Sequence, residues 1–232
     1  MNPKTPEGRP LSKVEIKGAE ARHYDLLMNV VTGGTYPLFI RRVVRDMGLQ
    51  PGEAVLDLGS GTGRNALLMA RHLGPTGRVL GLDIGDEMLA QAKRRERTRP
   101  DVAFRKLRIE GPLPFDGEFD AAFISFVLHG FVQEARLRIV ENVYRALRPG
   151  GRFLILDYQE QEPDKESWPV RLVFRAECPL ATDFVRRDWQ AILSEQGFGR
   201  FRQVGYYRNH VRLLEAVKDA APVGLGSGPR ET

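Results

Sequence analysis

A short apolar run that breaks into three alternating glycines and then opens a helix limits what this chain can fold into. Val55, Leu56 and Leu58 make the run, Gly59, Gly61 and Gly63 the turn, and Ala66-Leu67-Leu68-Met69-Ala70 the helix face. Without β-carbons the turn can take positive φ and bring its backbone close to a ligand. The helix behind it points unpaired N–H groups at whatever sits there. The spacing is G-x-G-x-G, with Arg64 where the dinucleotide fingerprint G-x-G-x-x-G has its third glycine. No G-x-x-x-x-G-K-[ST] phosphate loop occurs. Asp57 within the run and Asp83 at the end of the next apolar stretch place two acids beside the turn.

The rest of the chain alternates in the same rhythm. Apolar spacing predicts helices on both sides of 31–37, with Pro37 near the start of the second, then strands over 54–58, 79–84, 102–109, 119–126 and 153–158. Between them it predicts helices over 64–73, 86–97 (capped by Asp86) and 135–147, the last turning Leu137, Val140, Val143, Tyr144 and Leu147 inward. Arg148-Pro149-Gly150-Gly151 reads as a turn. Crossover-length connections of this kind imply an α/β fold, a parallel sheet with helices on both faces. Residues 159–181 break the rhythm as a lid-like insert. A helix capped by Thr182-Asp183 and two strands, 201–207 and 211–217, joined tightly near Asn209 as an antiparallel hairpin, complete the expected fold. The expected division is an N-terminal helical cap over the active site (1–50), a ligand-binding domain (51–220) and a disordered tail (221–232).

Composition narrows the setting. The single cysteine, Cys178, excludes an intrachain disulfide framework. No apolar run approaches the roughly 20 residues of a membrane span, and the first residues lack the apolar core of a signal peptide. A cytoplasmic protein is expected. The net charge of +5 is modest, and the basic stretch 93–108 reads as a solvated face, so nucleic acid is not expected as a partner.

In open α/β sheets ligands bind outside the carboxyl ends of the strands, where strand order reverses. Residues 57–63, Asp83, 109–115 and 125–129 fall at such ends. A carboxylate at Asp83 is placed to accept paired hydrogen bonds from ribose hydroxyls.

Leu56-Asp57-Leu58-Gly59-Ser60-Gly61-Thr62-Gly63 resembles the first motif of the class I S-adenosylmethionine-dependent methyltransferases. Gly81-Leu82-Asp83-Ile84 followed by Glu87-Met88-Leu89 resembles their second. Leu113-Pro114-Phe115 before Phe119-Asp120, Val127-Leu128-His129 and Leu147-Arg148-Pro149-Gly150-Gly151 resemble later ones. The likeness covers about residues 20–217 and is nearest to the ubiquinone/menaquinone-biosynthesis C-methyltransferases and the small-molecule enzymes around them. It implies a seven-stranded, mostly parallel, Rossmann-like sheet ending in an antiparallel hairpin. It implies S-adenosyl-L-methionine held by Tyr24, Asp57, Gly59, Ser60, Gly61, Thr62, Gly63, Asp83, Ile84, Met88, Glu110 and Ser125. By the same likeness Asp57 contacts the amino-acid end, Asp83 the ribose, and Tyr24 the methionine carboxylate. Relatives carry a Gly-Asp pair ahead of the Leu-Pro-Phe element; here Ile109 and Glu110 stand there, and Glu110 is the nearest substitute for the adenine-contacting acid.

Methyl transfer from a sulfonium has a good neutral leaving group, so positioning, desolvation and a base for a protonated acceptor suffice. The candidate bases are His129, Asp157 and Tyr158. No metal ligands are assigned. The expected activity is methylation of a small-molecule carbon, oxygen or nitrogen nucleophile, quinone-like acceptors included; a lipophilic acceptor would add weak membrane-surface association. An RNA or protein methyltransferase is the alternative, but Ser125-Phe126-Val127-Leu128 stands where amino-methylating nucleic-acid enzymes carry an Asn/Asp-Pro-Pro-aromatic motif. A non-catalytic cofactor-binding partner protein is a further alternative.

Overall fold

The computed structural model describes residues 34–162 and 179–219. Its order is α1 (Tyr36–Asp46), β1 (Ala54–Leu58), α2 (Arg64–Leu73), β2 (Arg78–Asp83), α3 (Asp86–Glu96), β3 (Val102–Lys106), β4 (Phe119–Ser125), a short 3-10 turn (Leu128–Gly130), α4 (Gln133–Ala146), β5 (Leu147–Tyr158), α5 (Pro179–Val185), α6 (Trp189–Glu195), β6 (Phe198–Tyr206) and β7 (Val211–Lys218). The strands form one seven-stranded sheet in the order β3-β2-β1-β4-β5-β7-β6. β1 to β5 pair in parallel, whereas β7 runs antiparallel to β5 and β6. The chain leaves β1 toward β2 on one side and returns to place β4 on the other. A crevice therefore opens above β1 and β4.

Both faces are covered, which is why the inner strands read as nearly continuous apolar runs. Period-two alternation shares them out. Val55, Val79, Phe123, Leu154 and Leu213 turn to the face packed by Ile40 and Val43 of α1, Met69 and Leu73 of α2 and Leu89 of α3. Leu56, Leu82, Ile124, Ile155 and Leu214 turn to the face covered by Ile139 and Val143 of α4 and Trp189 and Leu193 of α6. At the end of the sheet away from the crevice, Arg152 of β5 bonds the Met47 carbonyl and the Glu53 carboxylate, and Arg202 bonds Glu215 and the Asp46 carbonyl. These ties fix α1 to the strand ends.

Several boundaries differ from expectation for local reasons. Gly85, not Asp86, is the N-cap of α3; Asp86 is the first helical residue and pairs with Lys106. β3 stops at Lys106 rather than 109, because residues 107–109 leave the sheet toward the crevice. The expected turn at 148–151 is a bulge inside β5: Leu147 pairs with Phe119, pairing resumes at Ala121–Arg152, and Gly150 takes φ 79°. On α4, Leu137 lies outward while Arg136 and Asn142 are buried. Thr182 and Asp183 sit within α5, and the helix carrying Trp189 is capped by Asp188, which accepts from the Ala191 N–H at 2.9 Å. Tyr24, Cys178, most of the lid-like insert, and the expected tail lie outside the described residues. Among the described residues no helix is long and apolar enough to cross a membrane.

Candidate active site

The glycine turn is built by β1 and β2 together. The Gly59 and Ser60 N–H groups both donate to the Leu82 carbonyl, at 2.8 and 2.9 Å, which bends the chain off β1. Arg95 of α3 then staples the turn from outside, donating to the Thr62 carbonyl and hydroxyl at 2.6 and 2.8 Å. Gly63 is the left-handed N-cap of α2. Gly59 takes φ 71°, and a β-carbon there would lie 2.7 Å from Val127 Cγ2. Gly59→Ala is therefore expected to cost about 2–5 kcal/mol, from positive φ and overpacking. A fall in the melting temperature measures it.

Beside the turn lies a cleft of about 360 Å³ lined by Gly59, Leu82, Asp83, Ile84, Leu107, Ile109, Glu110, Val127 and Phe131. Two acids, Asp83 and Glu110, share the lining with an apolar set. Asp83 is held from both sides, its Oδ1 accepting from Gly85 N–H and its Oδ2 from Gly61 N–H, each at 2.8 Å. Each oxygen keeps further acceptor capacity. Burial raises the Asp83 pKa, and the backbone N–H groups of Gly85, Gly61 and Ile84 oppose the rise. Glu110 is buried and its carboxylate is engaged by Arg108 at 2.7 Å.

Asp57 is 1% exposed, and among the described residues its Oδ2 and the buried Ser60 hydroxyl have no hydrogen-bond partner. Burial first, and the Asp83 charge second, push Asp57 up to about 7. A buried carboxyl and hydroxyl left unmet beside a glycine turn want a partner with donors, and a cation suits the carboxyl best. Cation-accepting acid, hydroxyl-accepting acid and apolar lining together match the ammonium, ribose and adenine of S-adenosylmethionine in chemistry. Met88 is buried beside Gly85 and is not part of the cleft lining; Ser125 ends β4, half-buried.

After β4 the chain turns sharply. Phe126 takes φ 52°, a left-handed conformation in a non-glycine residue. This turn brings Val127 over Gly59 and puts His129 into the 3-10 turn. The two residues that sequence reasoning named as separate bases then meet: His129 Nδ1 lies 2.7 Å from Asp157 Oδ1, with Asp157 2% exposed. The Tyr158 N–H also donates to Asp157 Oδ1, at 2.9 Å. A carboxylate only accepts, so the Nδ1 proton belongs to this contact and the basic lone pair to Nε2. The rings of Tyr158, at 5.2 Å, and Phe184, at 6.4 Å, flank the imidazole. Sequence reasoning missed Arg136, which is fully buried beneath His129 and donates to the Leu128 and His129 carbonyls. Nothing in a helical arginine's spacing distinguishes it from a solvated one.

A family model described as a methyltransferase domain matches residues 55–151. The ubiquinone/menaquinone biosynthesis C-methyltransferase of Pseudomonas putida (strain GB-1) is 33% identical over 188 residues, spanning 79% of this chain and 72% of that protein. The chloroplastic 2-phytyl-1,4-beta-naphthoquinone methyltransferase of Arabidopsis thaliana is 37% identical over 142 residues, 59% of this chain and 54% of its own. Among solved structures, a SAM dependent methyltransferase from Aquifex aeolicus shares the fold, with a TM-score of 0.59 at 24% identity over 77% of this chain and 89% of that one.

Proposed function

We propose, on the premise that this chain belongs to the class I S-adenosylmethionine-dependent methyltransferases in the group of the ubiquinone/menaquinone-biosynthesis enzymes, that it methylates a ring carbon of a small quinol-like acceptor. The observation that carries the acceptor reading is the His129–Asp157 pair flanked by Tyr158 and Phe184, a base set between aromatic walls. Both relatives named above act on quinones or their precursors by name, and a flat hydroxylated ring suits such walls.

S-adenosylmethionine, when bound, would supply a methyl group on a sulfonium, to be transferred to an electron-rich carbon with the neutral thioether S-adenosylhomocysteine as the leaving group. Asp57 would hold the ammonium, with Ser60 beside it, and Asp83 would accept from the ribose hydroxyls. Leu107, Ile109, Val127 and Phe131, which line the cleft together with Glu110, would take the adenine. His129 Nε2 takes the proton of an acceptor hydroxyl, which raises electron density at the neighbouring ring carbon, and Asp157 holds the imidazole and offsets its charge. The proton on the methylated carbon then passes to solvent as aromaticity returns, and the imidazolium gives its proton back to the ring oxygen. The enzyme works in the cytoplasm and meets a lipophilic ring at a membrane surface, by weak association.

Asp83→Ala is expected to weaken S-adenosylmethionine binding by more than tenfold, since hydrogen bonds to a charged group are worth about 1.5–3 kcal/mol. Calorimetry measures it, and an unchanged affinity removes the ribose assignment. The acceptor is tested by labelled-methyl transfer to reduced benzoquinones and naphthoquinones. Label on a ring carbon is the expected result. Label on oxygen overturns the carbon acceptor, and transfer to bulk RNA alone overturns the small-molecule reading.

A further inference from the structure

Arg136 has five N–H donors, and the structure accounts for all of them. Nε donates to the Leu128 carbonyl at 3.2 Å and Nη2 to the His129 carbonyl at 3.0 Å, both in the 3-10 turn. Nη2 also donates to the Leu180 carbonyl at 2.6 Å, and Nη1 to Asp183 Oδ2 at 2.6 Å, both in α5. Nη1 meets the Gln133 side chain at 3.3 Å. The guanidinium lies over the Phe184 ring, 5.3 Å from its centroid, and that same ring flanks His129.

A fully buried guanidinium is costly unless its donors are met. Here one contact is to Gln133 of its own helix, and the other four are to two chain segments that share no strand pairing. One carries His129; the other is the first described element after residues 163–178. His129 is thus fixed at three points, its ring and its backbone N–H by Asp157 and its carbonyl by Arg136. The planar fork matters: a lysine has one nitrogen and cannot reach both segments at these angles.

We propose that Arg136 is a positioning residue that clamps α5 to the His129 turn, so that the imidazole stands at working distance from the acceptor only while α5 is docked. The clamp rests on the reading of His129 as proton acceptor. It predicts that loosening the α5 end slows the chemical step without touching donor binding.

Asp183 provides the means, because it is the outer, 43% exposed end of the clamp and lies far from the donor cleft in the chain. Arg187 also pairs with Asp183, at 2.7 Å, and provides the control. With 1,4-naphthoquinol as acceptor probe, Asp183→Asn is expected to lower kcat by about tenfold, with donor affinity by calorimetry unchanged. Arg136→Lys falls at least as far, and Arg187→Gln stays near wild type. In a His129→Gln background, Asp183→Asn should cause no further loss, as two residues acting through one group are not additive. Equal losses in both backgrounds, or a parallel loss of donor affinity, overturn the clamp while leaving His129 its role. Wild-type turnover by His129→Gln overturns the proton-acceptor reading and the clamp with it. If the probe does not turn over, hydrogen exchange of the donor-bound enzyme decides. Joint loss of protection at 128–131 and 180–187 in Asp183→Asn supports the clamp, and unchanged protection overturns it.

Discussion

Asp57→Asn is expected to abolish measurable S-adenosylmethionine binding and yet raise the stability of the empty protein. The carboxyl is buried, lacks a partner at Oδ2 among the described residues, and is pushed up to about 7 by that burial and by Asp83. Between the ordinary carboxyl value and pH 7 the folded state therefore holds a proton that the unfolded chain has released. Stability contributed by Asp57 rises as pH falls through this window and is lost as pH rises to 7, where ionisation costs on the order of 4 kcal/mol. An asparagine avoids that cost, so denaturant unfolding at pH 8 should show a more stable variant. Binding has the opposite sign. An ammonium beside Asp57 favours the ionised form, so wild-type affinity should be level just above pH 7 and weaken toward tenfold per pH unit below it. Calorimetry from pH 5 to 7.5 measures this slope, and a flat profile removes the ammonium from Asp57.

The second large effect is on turnover. His129→Gln is expected to lower kcat by about 10²–10⁴, with donor affinity preserved, because the donor-cleft residues lie elsewhere. Asp157→Asn should be nearly as severe, since the amide can donate its N–H to Nδ1, which leaves the ring proton on Nε2 and favours the wrong imidazole tautomer. The double variant should be little worse than either single one, as the two residues act as a unit. Labelled-methyl transfer measures all three, and multiplicative losses would separate His129 from Asp157.

The segment from Ala54 to Leu73 is legible from sequence to the residue at its strand and helix ends, because strand, glycine turn and helix each carry a local signal. The pairing of His129 with Asp157, 28 residues apart, is not. It follows from the parallel register that sets Ser125 of β4 against Leu156 of β5, and register belongs to the folded sheet. Asp86 was expected to cap α3 by its residue type, but Gly85 holds the extended geometry of a cap and Asp86 finds Lys106 instead. The apolar count on α4 favoured Leu137 over Arg136, since spacing cannot reveal carbonyls waiting below a helix. The cofactor family is legible because its residues cluster in the glycine turn and at the end of β2. The residues proposed for the acceptor come from the turn after β4, from β5 and from α5, and no single stretch announces them.

The strand order has an evolutionary corollary. Residues proposed for the methyl donor come mostly from β1, β2 and the loop after β3, joined by Val127 and Phe131 after β4, while those proposed for the acceptor come from the His129 turn, β5 and α5, so the two tasks fall largely on different halves of the sheet. Val127 rests against Gly59 and so ties the glycine turn to the chain that runs on to His129. A new specificity can thus be grafted onto the C-terminal half with the donor grip left intact, provided the graft keeps a side chain at 127 that tolerates a bare backbone at 59.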